Sequence, residues 1–414
     1  MNDLLPGDLI CWQQLEKKTA EVFRLFGYQE IRLPVVEKTE LFARSIGQAT
    51  DIVEKEMYSF QDRNGDQLSL RPEGTAGAVR AMLQHGLLHN ATQRVWYTGP
   101  MLRHERPQKG RYRQFHQIGV EAFGMAEAEL DVEIISMTCP LWKQLGLTSA
   151  VLEINTLGAA DSRLAYRSAL VEYYQANRNG LDEDSLRRLE KNPLRILDSK
   201  NEAVIELNKN APDILEYLDD ESSQHFQNVK ELLDNLGIPY VRNPKLVRGL
   251  DYYSRTVFEW TTDKLGAQSA ICGGGRYDEL VEKLGGKKTV PAAGFAIGME
   301  RLIELMKIEQ LCQPEKRQDF YIVQTPETAR ETGLSLAMQL RDAGYSVTAN
   351  VGDTSFKSQL KKADRCNARM ALIIGENELE TSSITVKQLD DGEQFSLSSE
   401  HFVAEVSKYL TTKE

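Results

Sequence analysis

The sequence predicts an α+β protein in two parts, a large body of long extended segments and helices followed by a small α/β domain. Three observations carry this. Residues 94–103 and 111–123 read as two long extended segments joined by 105–110. Residues 161–239 change to a helical, highly charged texture. Beyond residue 318 strands and helices alternate. At 414 residues the chain is too long for one ordinary core, and an apolar content of 41 %, with 4 Trp, 15 Tyr and 13 Phe, can fill more than one.

The elements follow in order. Trp12, Leu15, Val22, Phe23 and Phe26 keep helical spacing, Gly27 supplies the stop, and 29–33 runs extended into Pro34. Residues 57–61 and 67–71 alternate around Asn64-Gly65, a strong hairpin signal. A helix is expected after Thr75, and then come the two long extended segments. The charged stretch from 161 to 239 has Leu/Ile spacing and few strand signals, as an inserted helical module would. Extended segments are expected at 245–260, then a turn at Gly273-Gly274-Gly275, a helix near 277–284, and a strand–turn–helix over 294–306. Charged residues at 313–318 make a linker. The last part reads strand 320–323, helix 327–342, strand 345–348, helix 356–362, strand 371–374, two strands around Asp391-Gly392, and a helix over 400–409.

No apolar run approaches the about 18 residues of a membrane span, and the first residues lack the pattern of a secretory signal. The 5 cysteines are odd in number, scattered, and without a Cys-x-x-Cys pair. That argues against a disulfide framework and a zinc finger, and fits a reducing cytoplasm. A net charge of −11 looks wrong for a nucleic-acid binder, but the charge is uneven. Residues 103–113 hold 5 Lys or Arg against 1 acid, and 357–369 hold 5 against Asp364. Screening confines each field to about 10 Å, so a local basic patch can still grip a polyanion.

The most informative segment is Arg111-Tyr-Arg-Gln-Phe-His-Gln-Ile-Gly-Val-Glu121. Strand alternation puts Arg111, Arg113, Phe115, Gln117, Gly119 and Glu121 on one face. Two guanidiniums, a ring, an amide and a carboxylate make a poor core and a good floor for a ligand that is anionic at one end and polar at the other. A solvated sheet face carries the same alternation, so the pattern alone leaves both open. Arg103 brings a further cation to the same place, and several Arg around one site suit polyphosphate. There is no G-x-x-x-x-G-K-[ST], so a phosphate site here is an arginine-and-sheet site, not a P-loop. His85 and His89, four apart on an expected helix, lack the Glu and the third ligand of a zinc site and read as structural or surface histidines. Arg248, Asp251, Tyr252 and Tyr253 form a polar-aromatic knot beside Gly249, which a turn with core tyrosines would also produce. Gly294-Phe-Ala-Ile-Gly-Met-Glu-Arg301 places an Arg in the first helical turns, as an ordinary surface Arg could also be.

Taken in order, these stretches resemble the class II aminoacyl-tRNA synthetases, and specifically the histidyl-tRNA synthetase family. Residues 27–37 resemble motif 1, 103–117 motif 2, and 294–302 motif 3. Leu246-Val-Arg-Gly-Leu-Asp-Tyr-Tyr253 and Gly274-Gly-Arg-Tyr-Asp278 are similar to blocks particular to the histidine enzyme. The resemblance covers nearly the whole chain; motif 2 and the 248–253 block are its specific parts. It implies a class II antiparallel sheet flanked by helices over 1–312, a helical insertion at about 161–238, and a C-terminal α/β anticodon-binding domain over 318–414. It implies ATP-dependent ligation of L-histidine to tRNA(His) through a histidyl-adenylate, with ATP as substrate, Mg²⁺ accompanying it, no zinc, a homodimer, and no membrane.

The roles it implies make chemical sense. Arg103 and Arg248 neutralise the histidine carboxylate and α-phosphate as they meet. Arg111 and Arg301 serve the outer phosphates or the adenine face, and Phe115 stacks on adenine. Glu73, Thr75 and Gln117 hold the substrate ammonium, while Glu121, Tyr252 and Tyr253 suit a neutral imidazole. Lys357, Lys361, Lys362 and Arg365 lie where the anticodon domain would face RNA, although a solvated helix looks the same. Family members usually carry a short segment ending in Arg-Gly ahead of Met-Asn-Asp; this sequence begins at Met1, which puts contacts from that segment in doubt. The competing resemblance is a non-catalytic paralogue, the regulatory subunit of ATP phosphoribosyltransferase. That protein is expected to lack the C-terminal domain and the Arg103/Arg248 set.

Overall fold

The computed structural model describes residues 2–47, 50–89, 91–106, 110–266, 269–314 and 317–410. The chain divides into two compact units, Met1–Gln313 and Pro314–Glu414.

The first unit begins with α1 (Leu9–Leu25), which buries Trp12, Leu15, Val22 and Phe23 along one stripe. Strand β1 (Gln29–Glu30) follows, then a small antiparallel sheet of β2 (Val36–Lys38), β3 (Ser59–Gln61) and β4 (Gln67–Leu70) in the order β2-β4-β3. Between β2 and β3 lie α2 (Thr39–Ile46) and a π-helical turn at Ile52–Glu56. After α3 (Thr75–Gln84) come the long hairpin β5 (Gln93–Leu102) and β6 (Gln114–Phe123), then α4 (Ala128–Leu145) and β7 (Val151–Thr156). The insertion supplies α5 (Ala160–Ala176), α6 (Glu183–Lys191), α7 (Glu202–Asn208) and α8 (Asp220–Asn235). The unit closes with β8 (Val241–Arg242), β9 (Ser254–Thr261), β10 (Ala270–Arg276), α9 (Leu280–Lys283), β11 (Ala292–Gly298) and α10 (Met299–Ile308).

One eight-stranded sheet organises all of this, in the order β1-β5-β6-β11-β10-β9-β7-β8. Its six central strands are antiparallel, and a short parallel strand lies at each edge. Strand alternation sorts the two faces. Ile118, Val120 and Ala122 of β6 enter a core with α1, α4 and α10. The odd-numbered residues Phe115, Gln117, Gly119 and Glu121 take the opposite face, where the functional cleft forms. α4 gave no clear sequence signal because apolar residues occupy most of its circumference, and it is buried along most of its length. The insertion has its own core of Tyr166, Leu170, Tyr174, Ile196, Val204 and Ile214.

Four expectations need correction. Residues 243–253 are not extended but a loop of turns, and the strand starts at Ser254. Gly273–Gly275 are not a turn but the middle of β10. A Cβ on Gly274 would stand 2.1 Å from the Gly294 carbonyl, so bare backbone is what lets β10 and β11 close. The helix expected to carry His85 and His89 ends at Gln84, with Gly86 in the left-handed region, and both histidines are exposed. Lastly, Cys11 and Cys312 are disulfide-bonded, with Cα atoms 5.1 Å apart. A separation of 301 residues hid that pair, because sequence spacing says nothing about which ends of a unit meet. Cys139, Cys272 and Cys366 are free.

The second unit is a five-stranded sheet of β12 (Gln318–Gln324), β13 (Val347–Ala349), β14 (Ala368–Ile374), β15 (Ser383–Gln388) and β16 (Gln394–Ser398) in the order β13-β12-β14-β15-β16. The first three are parallel and the last two antiparallel. It carries α11 (Ala329–Asp342), α12 (Phe356–Arg365), α13 (Glu376–Glu380) and α14 (Phe402–Leu410), around Phe320, Ile322, Leu336, Leu372 and Phe402. No helix among the described residues is long and apolar enough to cross a membrane.

Candidate active site

A cleft of about 240 Å³ opens on the face of the large sheet opposite α1, α4 and α10. It is lined by Glu73, Thr75, Arg103, Arg111, Phe115, Gln117, Arg248, Tyr252, Tyr253 and Arg301, from five separate stretches of chain. Glu121 lies one layer below, buried.

The floor is built on Glu121. One carboxylate oxygen accepts from Thr75 Oγ1 at 2.8 Å and from the Tyr97 hydroxyl at 2.9 Å, and the other accepts from the Tyr277 hydroxyl. Burial pushes its pKa up to about 8 against the pull of those three hydroxyls. The ring of Tyr97 reaches Glu121 because Gly119, directly opposite it across the β5–β6 ladder, leaves the sheet bare. A Cβ there would stand 2.2 Å from Tyr97 Cζ. Beside it Glu73 accepts from the backbone N–H groups of Thr75 at 2.6 Å and Ala76 at 2.9 Å, capping α3, and burial raises its pKa. Tyr252, Tyr253 and Tyr277 pack with centroids 4.7 to 6.4 Å apart, and burial drives their pKa values upward, so all are neutral hydroxyls.

The wall is cationic. Arg103 donates through Nε to the Pro72 carbonyl at 2.8 Å, and its guanidinium lies 5.2 Å from the Phe115 ring centroid, so cation and ring form one packed unit. Glu105 pairs with Arg111 and stands 3.7 Å from Arg103. Arg301, at the start of α10, donates to the Ala270 carbonyl at 3.0 Å. Burial lowers the pKa of Arg103, Arg111 and Arg301, and for Arg301 the neighbouring Arg111 and Arg103 charges add to it. All three stay charged, since an Arg pKa cannot approach neutrality. Arg248 is different. Burial opposes its charge, but the paired carboxylate of Glu259 on β9 holds its pKa above the ordinary value. Its guanidinium also lies 5.7 Å from the Tyr253 ring centroid and fills the space over Gly273, where a Cβ would stand 2.6 Å from Nη1.

The residues singled out for histidine and ATP therefore meet in one place. Lys357, Lys361, Lys362 and Arg365 do not; they lie on α12 of the second unit. Lys357, Lys361 and Arg365 are exposed there, while Lys362 is half-buried and donates to Asn350 Oδ1 at 3.0 Å. Lys109, counted in the first basic patch, lies outside the described residues. Sequence reasoning missed Tyr97, Glu105 and Glu259 and gave Tyr277 no role. Tyr97 had a signal, because pairing 94–103 with 111–123 as a hairpin sets it against the Glu121 face. Glu105 and Glu259 had none, since only the folded chain brings them to their arginines.

A broad antiparallel sheet, an arginine cleft fed by a strand hairpin and a strand–helix junction, and no P-loop define a class II aminoacyl-tRNA synthetase. A family model described as histidyl-tRNA synthetase matches residues 1–302, and one described as an anticodon binding domain matches 319–409. The chain belongs to the histidyl-tRNA synthetase family. It is 54 % identical to a histidine–tRNA ligase of Hydrogenovibrio crunogenus over 94 % of its length and 92 % of the relative's. It is likewise 54 % identical to one from Laribacter hongkongensis, over 95 % and 93 %. The apo histidyl-tRNA synthetase of S. aureus superposes with a TM-score of 0.81 at 34 % identity, over 98 % of this chain and 97 % of that one. A regulatory paralogue is not favoured, since both the Arg103/Arg248 pair and the C-terminal unit are present.

Proposed function

We propose that the protein attaches L-histidine to tRNA(His) in two steps, using ATP. A histidine carboxylate oxygen attacks the α-phosphorus, the bond to the bridging oxygen breaks, and pyrophosphate leaves. The terminal adenosine hydroxyl of the tRNA then attacks the activated carbonyl and AMP leaves. The first step brings two anions together, so catalysis is largely alignment and charge neutralisation. Arg248 and Arg103 act on the carboxylate and α-phosphate, Arg111 and Arg301 on the outer phosphates, and Phe115 stacks on adenine. Glu73, Thr75 and Gln117 take the ammonium group. Glu121 with Tyr252 and Tyr253 takes the imidazole, which offers one donor and one acceptor.

The observation that carries this reading is the buried carboxylate of Glu121, ringed by three hydroxyls, at the base of an arginine-walled cleft. Such a floor pairs a ring N–H and rejects analogues that would leave it unpaired. Among the described residues no group of three or more His, Cys, Asp or Glu is placed to hold a metal ion. Were Mg²⁺ to accompany the ATP, Glu105 and Glu259 are the carboxylates of the cleft that would hold it, and it would shield phosphate charge. The C-terminal unit would bind the anticodon arm through Lys357, Lys361, Lys362 and Arg365. The protein would work in the cytoplasm. It would act as a homodimer, a reading supported by exposed Val35, Val36 and Phe60 at the β2–β4–β3 sheet. Histidine-dependent ATP–pyrophosphate exchange, with the other amino acids as controls, tests the activity. Absence of exchange from folded protein would refute it.

A further inference from the structure

The 243–253 loop carries Arg248, Tyr252 and Tyr253 into the cleft, yet it belongs to no strand or helix. Its backbone groups need partners from elsewhere, and several come from the helical insertion. Arg195 Nη1 donates to the Gly249 carbonyl at 2.7 Å. Asn192 Nδ2 donates to Asp251 Oδ1 at 2.8 Å. Arg163, from α5, donates to the Tyr253 carbonyl at 2.5 Å and is held by Glu279 at 2.9 Å. Other ties run to the rest of the unit: Asp251 N–H to the Ile46 carbonyl at 3.1 Å, Asn155 Nδ2 to the Leu246 carbonyl at 3.2 Å, Asn243 N–H to the Ile154 carbonyl at 3.0 Å, Asn243 Nδ2 to Glu153 Oε2 at 2.6 Å, and Arg248 to Glu259.

The same corner of the insertion grips the other lip of the cleft. Lys191 pairs with Glu54, and Arg187 stands 3.9 Å from Asp51, on the turn that brings Ile52 into the lining. The Glu56 carbonyl of that turn accepts from His104 N–H at 2.7 Å, next to Arg103. One short stretch, 187–195, thus touches both segments that flank the cleft.

We infer that the helical insertion is a strut for the histidine-binding loop, with Arg195, Asn192 and Arg163 as positioning residues that preset Arg248, Tyr252 and Tyr253. None of the three reaches into the cleft itself. A loop ordered in advance does not have to be ordered by the substrate, so the strut acts mainly on the affinity of the ligand this loop contacts. That ligand is chiefly histidine, since of the loop's residues only Arg248 also faces the α-phosphate; ATP is otherwise held by Arg103, Arg111, Phe115 and Arg301, which lie on other segments. The inference rests on the histidine-activating reading above.

The test is pyrophosphate exchange by the full chain, with KM measured separately for histidine and ATP, alongside thermal melting. The double variant Asn192→Ala/Arg195→Ala is expected to raise the histidine KM about tenfold while the ATP KM stays within about twofold. Asn192→Asp, which sets a like charge against Asp251, should raise it more than Asn192→Ala does. Arg195→Lys should recover part of the loss, because an ammonium still donates to a carbonyl. A histidine KM within about twofold of wild type in the double variant would overturn the strut, as would an equal rise in both KM values with a lowered melting temperature. If wild type itself shows no histidine-dependent exchange, the proposed function fails and not the strut alone.

Discussion

The floor and the wall of the cleft are built on opposite principles. On the floor the polar groups satisfy one another: Glu121 is closed by Thr75, Tyr97 and Tyr277, and Glu73 by the start of α3. On the wall four guanidiniums crowd together, and the carboxylates paired with them are Glu105 and Glu259. Burial lowers the pKa of Arg103, Arg111 and Arg301, and neighbouring guanidiniums lower those of Arg111 and Arg301 further, so the empty wall is an unfavourable place for charge. In the proposed reading the floor would recognise a neutral polar ring, and the wall would receive several anionic oxygens. Identity and chemistry are assigned to different parts of the same pocket, and variants should separate them.

The largest expected effect falls on the wall. Arg248→Ala should lower kcat/KM for exchange by roughly a thousandfold, the scale of losing a preorganised charge at the reacting centre. It should also leave the half-buried Glu259 without its partner, so a modest fall in melting temperature is expected. Exchange within tenfold of wild type would break the division. Next comes Glu121→Gln. An amide keeps the size but cannot accept from three hydroxyls and a ring together, so the histidine KM should rise by roughly a hundredfold while the ATP KM is nearly unchanged. A matching rise in the ATP KM would show that floor and wall are one system.

How much of this the sequence disclosed follows the same line. The wall was legible in part: arginines two apart in an expected strand are costly in a core, so Arg111 and Phe115 stood out without any partner in view, but β6 starts only at Gln114 and Arg113, which stood out with them, does not line the cleft. The floor was half legible. Glu121 followed from the strand period, but its partners Tyr97 and Tyr277 come from 24 and 156 residues away, and only the sheet order brings them together. The Gly273–Gly275 run misled, because glycines that make room for a neighbouring strand and an arginine look the same in a sequence as glycines that turn the chain. The loop at 248–253 misled for a related reason: its path is fixed by bonds from Gly249 and Asp251 to Ile46, Asn192 and Arg195, which nothing in the local sequence discloses.

The third effect is a pH dependence confined to the floor. With its pKa pushed up to about 8 by burial, Glu121 is mostly protonated in the empty cleft at neutral pH. A bound imidazole N–H favours the ionised carboxylate, so the histidine KM should fall as pH rises toward about 8 and then level, changing about tenfold from roughly pH 7. Stability should move the other way. A raised folded pKa contributes stability that is complete below the ordinary carboxylate range and is lost as pH rises through about 8. Glu121→Gln should flatten both trends. A histidine KM that is pH-independent over this range in wild type would mean the imidazole does not rely on this carboxylate.

The smallest effect lies outside the cleft and bears on whether RNA contact is separable from activation. Lys357, Lys361 and Arg365 sit on the exposed side of α12. Lys362 is set apart by its bond to Asn350, so its removal would disturb the fold of the unit as well as its charge. Replacing the three exposed residues by Ala should leave pyrophosphate exchange unchanged, since it requires no tRNA. The tRNA KM in aminoacylation should rise by about two- to fourfold per residue, and the salt dependence of binding should flatten by roughly 2 in log–log slope. A change in exchange would tie the helix to activation; an unchanged tRNA KM and salt slope would return these residues to the solvated helix face that their spacing equally allows.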